Sequence, residues 1–142
     1  MEEKCRPALI ALDFDHTLIH WRGEPYVSPE TRRTLAEAIA EGIHVGLCSG
    51  RWWWNMRDVL ENIGMPWGKP FPSFVITREK LVYWVRDGRL DEGEFTEWNR
   101  VRAAEMEELA QACLRHGSEW VAALKAAGLQ HRSWNLYGDY GL

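Results

Sequence analysis

The chain has 142 residues, of which 46% are hydrophobic and 27% are charged. These proportions are close to those of an average soluble domain and exclude the disordered and fibrous classes. The formal net charge of -4 provides no general field for polyanions, so we expect no nucleic-acid partner and no anionic membrane surface. We expect residues 1–142 to form a single domain, because this length is sufficient to bury a core.

The cysteine spacing and the first residues of the chain indicate in which cellular compartment the protein resides. Cys5, Cys48 and Cys113 are widely spaced and include no C-x-x-C pair. This spacing argues against a zinc site or a disulfide framework and suits a reducing compartment. The start of the chain lacks the sections of a signal peptide, and no apolar run approaches the roughly 20 residues of a membrane span. We therefore expect a cytoplasmic protein.

The first half of the chain alternates strand and helix patterns. Residues 8–14 are an apolar run that ends in an acid, a pattern typical of a strand buried on both faces. Ser28, followed by a proline and an acid, predicts the start of a helix that ends near Gly42. Residues 43–48 then predict a second strand.

The alternation continues into the middle of the chain. Residues 52–63 predict an amphipathic helix that ends at Gly64. Residues 73–77 predict a third strand, and residues 81–90 predict a hairpin that turns at an Asp-Gly pair. This order predicts an α/β fold, a doubly wound (Rossmann-like) parallel sheet with right-handed crossovers.

Helix patterns dominate the C-terminal part. Residues 95–116 predict a long helix stopped by Gly117, and residues 119–127 predict a shorter one that ends at a second glycine. A last apolar run covers residues 134–137.

The ends of the first two predicted strands carry the candidate chemistry, since ligands of parallel sheets bind outside the carboxyl ends of strands. Asp13 and Asp15 leave the first strand as alternate residues and project the same way, while Ser49 follows the second strand. Two close carboxylates raise each other's pKa unless a cation lies between them. The pair therefore indicates either bound Mg²⁺ or a proton held for acid catalysis, and both serve phosphoryl transfer.

These segments resemble one enzyme superfamily. Residues 13–17, Asp-Phe-Asp-His-Thr, resemble the D-x-D-x-T nucleophile motif of the haloacid dehalogenase-like phosphatases. Residues 42–51, which end in Ser-Gly-Arg, are similar to the second motif of the Cof-type branch. Residues 72–77 and the hairpin after them are similar to the third strand and small flap of that branch. The resemblance covers about residues 7–90, and residues 91–142 match poorly, which implies a minimal or altered cap.

The resemblance implies a Mg²⁺-dependent phosphatase that hydrolyses a phosphate monoester. Asp13 would be the nucleophile that becomes an aspartyl phosphate, and Asp15 would protonate the leaving alcohol and later activate water. Thr17 would steady the loop. The metal would bridge Asp13, the backbone carbonyl of Asp15 and a further acid.

The resemblance also implies a phosphate-binding turn. Ser49 and Gly50, with neighbouring backbone N–H groups, would bind the transferring phosphoryl oxygens. Arg51 is a further phosphate-binding candidate, and the alternatives for it are an ion pair with an acid or exposure to solvent. The substrate that the resemblance implies is a small-molecule or macromolecular phosphate ester. Specificity in this superfamily comes largely from the cap, so the motifs leave both classes open.

The third-motif lysine and the fourth-motif acid lie in the poorly matched half. Lys125 is the candidate lysine, and Lys80 and Lys69 are weaker candidates. Asp139 resembles the start of the fourth motif and is the candidate third metal ligand. Two explanations stay open: a compact protein that uses Asp139, or the N-terminal part of a longer Cof-type ancestor in which residues 95–127 derive from cap elements.

Two positions depart from the superfamily pattern. His16 occupies a position that normally holds glycine, and Arg78 with Glu79 stands where the Cof-type branch shows asparagine and glycine. Substrate contacts at the latter position therefore cannot be carried over. The histidines have no metal-ligand spacing and are interpreted as local polar residues: His16, His20, His44, His116 and His131.

Nine tryptophans are the unusual feature of the composition. Trp52, Trp53 and Trp54 cannot all face one side of a helix. Our interpretation is that two of the three fill the core, and that an exposed indole forms a lid, a substrate-facing wall or a self-association patch. A homodimer is one way to cover the site or such a patch.

Two other functions fit the same residues. A catalytically silent member of the superfamily would use the crevice for binding or assembly, and a phosphotransferase would need the same nucleophile and acid.

Overall fold

The structure is a computed structural model, and it describes residues 8–129. Its strands and helices, in chain order, are β1 (Leu9–Asp13), α1 (Pro29–Ala40), β2 (His44–Ser49), α2 (Trp53–Asn62), β3 (Phe74–Thr77), β4 (Leu81–Arg86), β5 (Arg89–Asp91) and α3 (Thr96–Ala126), with a short 3-10 turn at Gly93–Phe95. The chain divides into two compact units, Met1–Ala103 and Ala104–Leu142. Among the described helices, none is long and apolar enough to cross a membrane.

The first unit contains a mixed sheet in the order β1-β2-β3-β4-β5. The first three strands are parallel, and β4 and β5 form the antiparallel hairpin. The predicted α/β class is therefore confirmed. The hairpin turns at Asp87 and Gly88, whose φ values of 50° and 77° are those that an Asp-Gly turn requires.

Strand register brings the carboxyl ends of β1, β2 and β3 to one edge. Asp13 is the partner of Cys48, and Ser49 is the partner of Thr77. Residues that follow these strands therefore meet at this edge, as the parallel pattern predicted.

The core lies where α1 and α2 cover the parallel strands. The side chain of Ser28 accepts a hydrogen bond from the Thr31 N–H at 3.0 Å, which confirms the predicted start of α1. Leu35 of α1 and Met56 and Leu60 of α2 are buried in the main hydrophobic cluster with strand residues such as Val45, Leu47 and Val75. The helical spacing of apolar residues thus produced the expected packing.

The prediction that the first strand is buried on both faces is wrong for the described part of the chain. Exposed and partly buried residues alternate along β1, and Leu9 is 49% exposed. β1 is the terminal strand in the order, and within residues 8–129 its strand neighbour is β2 alone. A short apolar run has the same appearance in a central strand and in an edge strand, so the pattern could not distinguish them.

The prediction of two helices separated at Gly117 is also wrong, because α3 runs without a break from Thr96 to Ala126. Gly117 lies inside this helix, where glycine costs roughly 1 kcal/mol but does not end it. Gly128 differs, because it adopts a φ of 72°. The N–H groups of Gly128 and Leu129 bond to the carbonyls of Lys125 and Leu124, the pattern that closes a helix at its C-terminus.

Two glycine substitutions test this account of the fold. A Cβ at Gly46 would lie 2.5 Å from both the ring and the carbonyl oxygen of Phe74, so Gly46→Ala should lower the free energy of unfolding by about 1–3 kcal/mol. A Cβ at Gly117 meets nothing within 4 Å, so Gly117→Ala should stabilise α3 by up to about 1 kcal/mol.

Urea unfolding followed by circular dichroism measures both effects. A destabilised Gly117→Ala variant would contradict the continuous helix. A Gly46→Ala variant with unchanged stability would contradict the close approach of β2 and β3.

Candidate active site

The loop after β1 is a tight turn anchored in the core. The Ile19 N–H donates to the Phe14 carbonyl, and the His16 N–H donates to the Ile19 carbonyl, both at 2.9 Å. Phe14, Leu18 and Ile19 are buried. The apolar residues of the loop therefore fix the backbone from which the polar residues between them project.

Thr17 holds the predicted nucleophile. Its hydroxyl donates to Oδ2 of Asp13 at 2.8 Å. Asp13 is the last residue of β1 and is exposed at the carboxyl edge of the sheet. The Thr17 hydroxyl thus fixes one oxygen of the Asp13 carboxylate. This contact is the one expected if Thr17 steadies the loop.

His16 has a φ of 62°, in the left-handed region. A residue with a Cβ is disfavoured there, although histidine, asparagine and aspartate adopt it more often than other residues. This conformation explains why a glycine suits the same position in the superfamily motif.

Asp15 is held by two side chains. Arg51 donates from Nε to Oδ2 at 2.7 Å and from Nη2 to Oδ1 at 2.9 Å, and the Trp21 indole N–H donates to Oδ1 at 2.8 Å. The guanidinium also lies over the Trp21 ring, 5.3 Å from its centroid. The Arg51 hydrogen bonds, followed by the one from Trp21, outweigh burial and lower the pKa of Asp15 below its ordinary value.

This cluster bears on two assignments made from the sequence. Of the alternatives for Arg51, the structure contains the ion pair with an acid, while phosphate binding by Arg51 stays a prediction. Trp21 is a site residue that the sequence analysis missed. The tryptophan is separated from Asp15 by a loop of irregular conformation, so no helical or strand periodicity pointed to it.

The turn after β2 offers donors to an anion. Ser49 is buried at 6% exposure, and its Oγ accepts the Arg51 N–H at 3.2 Å. Three residues after Ser49, Trp52 is the N-cap of α2, and its side chain makes no capping hydrogen bond. The N-terminus of a helix attracts negative charge through its backbone N–H groups. Ser49 and the start of α2 therefore present donors that suit an anion near Asp13, and we call them the anion-binding turn.

The turn after β3 braces the turn after β2. The Arg51 carbonyl accepts hydrogen bonds from the Thr77 hydroxyl at 2.6 Å and from the Arg78 N–H at 3.1 Å. The Ser49 carbonyl accepts the Glu79 N–H at 3.0 Å. Arg78 and Glu79 have φ values of 55° and 58°, a strained pair of conformations for residues with a Cβ. Glycine and asparagine would adopt this region readily, as in the Cof-type pattern.

The tryptophan run divides differently from our interpretation. Trp53 packs against the core cluster and lies 6.5 Å from the ring of Trp67. Trp52 and Trp54 instead stack on each other, with ring centroids 4.7 Å apart and planes inclined by 13°. Only one of these three tryptophans therefore packs against the core cluster, and not two as we expected. The reason is that Trp52 and Trp54, two positions apart, stack on each other.

The candidate lysines lie in other segments of the chain. Lys125 is exposed in the last turn of α3, in the second unit. Lys80 and Lys69 are exposed in loops of the first unit. Asp139 lies outside the described residues, so its role and that of Lys125 stay predictions.

Within residues 8–129, no three His, Cys, Asp or Glu side chains are grouped as a metal site. The donors at the edge are nevertheless of the type that Mg²⁺ takes, since this ion is held by one or two carboxylates together with water and substrate phosphate. Burial, and after it the charges of Glu79 and Asp13, raise the pKa of the Cys48 thiol. The carboxylates thus create a negative potential at this edge, which a cation would neutralise.

The fold and site define an α/β protein with an acidic loop and an anion-binding turn at the carboxyl edge of a parallel sheet. Comparison with known families identifies it further, because residues 10–77 match the model of the haloacid dehalogenase-like hydrolases. Residues 10–77 are therefore similar to this family, and the resemblance found in the sequence is confirmed.

Two similar proteins are much longer than the segment that this chain matches in them. A Metamycoplasma hominis protein named "Putative phosphatase in upp 3'region" is 34% identical over 64 residues, which is 45% of this chain and 23% of that protein. A solved haloacid dehalogenase-like hydrolase from B. subtilis is 28% identical, with a TM-score of 0.45, over 59% of this chain and 27% of that one. The chain thus spans about a quarter of the length of either protein.

The ion pair of Asp15 makes a prediction about stability and pH. Because the folded protein lowers the pKa of Asp15 below 3.8, the pair contributes stability above about pH 4 and loses it as the pH falls through the lowered value. At pH 7, Arg51→Gln should therefore lower the free energy of unfolding by about 1 kcal/mol. This difference from the wild type should shrink as the pH falls below about 4.

Urea titrations at several pH values measure the difference. Arg33→Gln is the control, since Arg33 makes only an exposed, 3.8 Å contact with Glu37 and should give a small difference at every pH. An Arg51→Gln difference that does not change on acidification would contradict the ion pair.

Proposed function

We propose that this protein is a Mg²⁺-dependent phosphatase that hydrolyses a phosphate monoester through an aspartyl-phosphate intermediate. The observation that carries the proposal is the position of Asp13. Its carboxylate is held by Thr17 at the sheet edge where Ser49 and the start of α2 provide donors for an anion. A nucleophile beside an anion-binding turn is the arrangement that phosphoryl transfer needs.

In the first step, a carboxylate oxygen of Asp13 attacks the phosphorus atom of the ester. The O–P bond to Asp13 forms as the P–O bond to the alcohol breaks, and Asp15 in its carboxylic acid form gives its proton to the leaving oxygen. Ser49 and the backbone N–H groups after it bind the phosphoryl oxygens during transfer.

In the second step, a water molecule attacks the phosphorus atom of the aspartyl phosphate. Asp15 takes a proton from this water, the bond between phosphorus and Asp13 breaks, and inorganic phosphate leaves. The bonds from Arg51 and Trp21 support this role, because they keep the Asp15 carboxylate in one orientation and favour its ionised form.

Hydrolases of this family generally use Mg²⁺, and the donors present fit that ion. Asp13 would hold it with its carboxylate and Asp15 with its backbone carbonyl, because the Asp15 side chain is engaged by Arg51. Asp139 would be the third ligand, and Lys125 would offset the negative charge. When bound, the ion neutralises the charge of the phosphoryl group as it is transferred.

A binding protein without turnover is the second candidate function. The observation that favours it is the triple hydrogen bonding of Asp15, which stabilises the carboxylate and opposes the protonated form that the first step requires. A phosphotransferase would share the first step and differ only in the acceptor that replaces water.

Hydrolysis of p-nitrophenyl phosphate, with Mg²⁺ or with EDTA, tests the proposal. Turnover should require Mg²⁺, and Asp13→Asn should lower it by at least about a thousandfold, because an amide cannot form the acyl phosphate. Asp58→Asn is the matched control, since Asp58 is an exposed carboxylate on α2 that pairs with the neighbouring Arg57.

The control variant should keep full activity. If folded wild-type protein binds Mg²⁺ and inorganic phosphate but shows no turnover, the binding function replaces the phosphatase. Turnover that survives Asp13→Asn would contradict the assigned nucleophile.

A further inference from the structure

A stack of flat side chains lies beside the anion-binding turn. Trp52 and Trp54 are nearly parallel, with centroids 4.7 Å apart, and the Arg78 guanidinium lies over the Trp52 ring at 5.4 Å from its centroid. We call Trp52, Trp54 and Arg78 the aromatic platform. Each of the three side chains is only partly buried, so the platform is accessible from the surface.

Backbone contacts fix the platform next to the predicted phosphate site. Trp52 follows Ser49 by three residues, and the Arg78 N–H donates to the carbonyl of Arg51. An Arg78 guanidinium nitrogen also approaches the Gly50 carbonyl at 3.4 Å. A phosphoryl group held at Ser49 would therefore have the platform as a neighbour on the β3 side.

Packing of the core does not account for this arrangement. Trp53 is the member of the run that packs against the core cluster, whereas Trp52 and Trp54 pack on each other. The Trp52 indole nitrogen is buried and has no hydrogen-bond partner among the described residues. Stacking rather than hydrogen bonding therefore holds the Trp52 ring.

We propose that the aromatic platform binds the alcohol part of the substrate, and that the preferred substrates are phosphate esters whose alcohol carries a planar ring. This inference rests on the proposed phosphatase function. Indole faces and a guanidinium plane both favour a flat π-system over a saturated group of the same size. Stacking of one ring on such a surface strengthens binding by about 5- to 150-fold.

Two phosphate esters that differ mainly in the planarity of the ring test this preference. Benzyl phosphate and cyclohexylmethyl phosphate both release a primary alcohol from a six-membered carbocycle, so leaving-group chemistry and size are closely matched. The wild type should show a kcat/KM about tenfold higher for the benzyl ester, the ratio that about 1.4 kcal/mol of stacking gives. Equal kcat/KM values in an active enzyme would overturn the inference while leaving the phosphatase intact.

Substitutions assign the preference to the platform. Trp54→Leu should lower the benzyl to cyclohexylmethyl ratio to about one, and Trp54→Phe, which keeps a ring, should retain most of it. Trp98→Leu is the matched control, because Trp98 also has an arginine over its ring, Arg102 at 4.8 Å, but lies on α3. A ratio that survives Trp54→Leu, or that Trp98→Leu lowers equally, would overturn the assignment.

A binding measurement separates failure of this inference from failure of the phosphatase. Calorimetric titration of the Asp13→Asn variant with both esters, in the presence of Mg²⁺, reports affinity without turnover. Tighter binding of benzyl phosphate supports the platform even if the wild type is inactive. Equal affinities for the two esters would overturn the inference even if the wild type is a phosphatase.

Discussion

The site depends on Arg51, which connects the three segments that follow the parallel strands. Its guanidinium holds Asp15 after β1, its N–H donates to the Ser49 hydroxyl oxygen at the end of β2, and its carbonyl accepts the Thr77 hydroxyl at the end of β3. Parallel register brings these segments to one edge, but register alone leaves their loops free to move. Because one residue contacts all three, these segments are held in fixed relative positions.

The two loop carboxylates receive different partners, and this difference separates their proposed roles. Asp13 accepts a neutral hydroxyl from Thr17, whereas Asp15 accepts three hydrogen bonds, two of them from a cation. Charge-assisted bonds orient a carboxylate and stabilise its ionised form. The neutral partner of Asp13 suits the proposed nucleophile, and the fixed orientation of Asp15 suits its proposed role in proton transfer. The aromatic platform lies next to the turn after β2, where we propose that it contacts the leaving group.

Much of the fold was predictable because it follows from local rules. The cap at Ser28 and the Asp-Gly turn of the hairpin both appeared where the sequence predicted them, since each is determined by neighbouring residues. Two predictions failed for non-local reasons. Gly117 was read as a helix end, but the conformation of a glycine inside a helix depends on the whole helix. The burial of β1 depended on its neighbours in the sheet, which its own apolar run does not contain.

The sequence by itself determined the order of strands and helices, the family motifs and the residues available for chemistry: Asp13, Asp15, Thr17 and Ser49. Short-range periodicity and capping specify these features. Only the tertiary structure decided that Arg51 and Trp21 bind Asp15 and that Trp52 stacks with Trp54 and Arg78. The contacts of Arg51 with Asp15 and of Arg78 with Trp52 join different loops, and their geometry depends on strand register. The other two contacts depend on irregular backbone angles that have no sequence period.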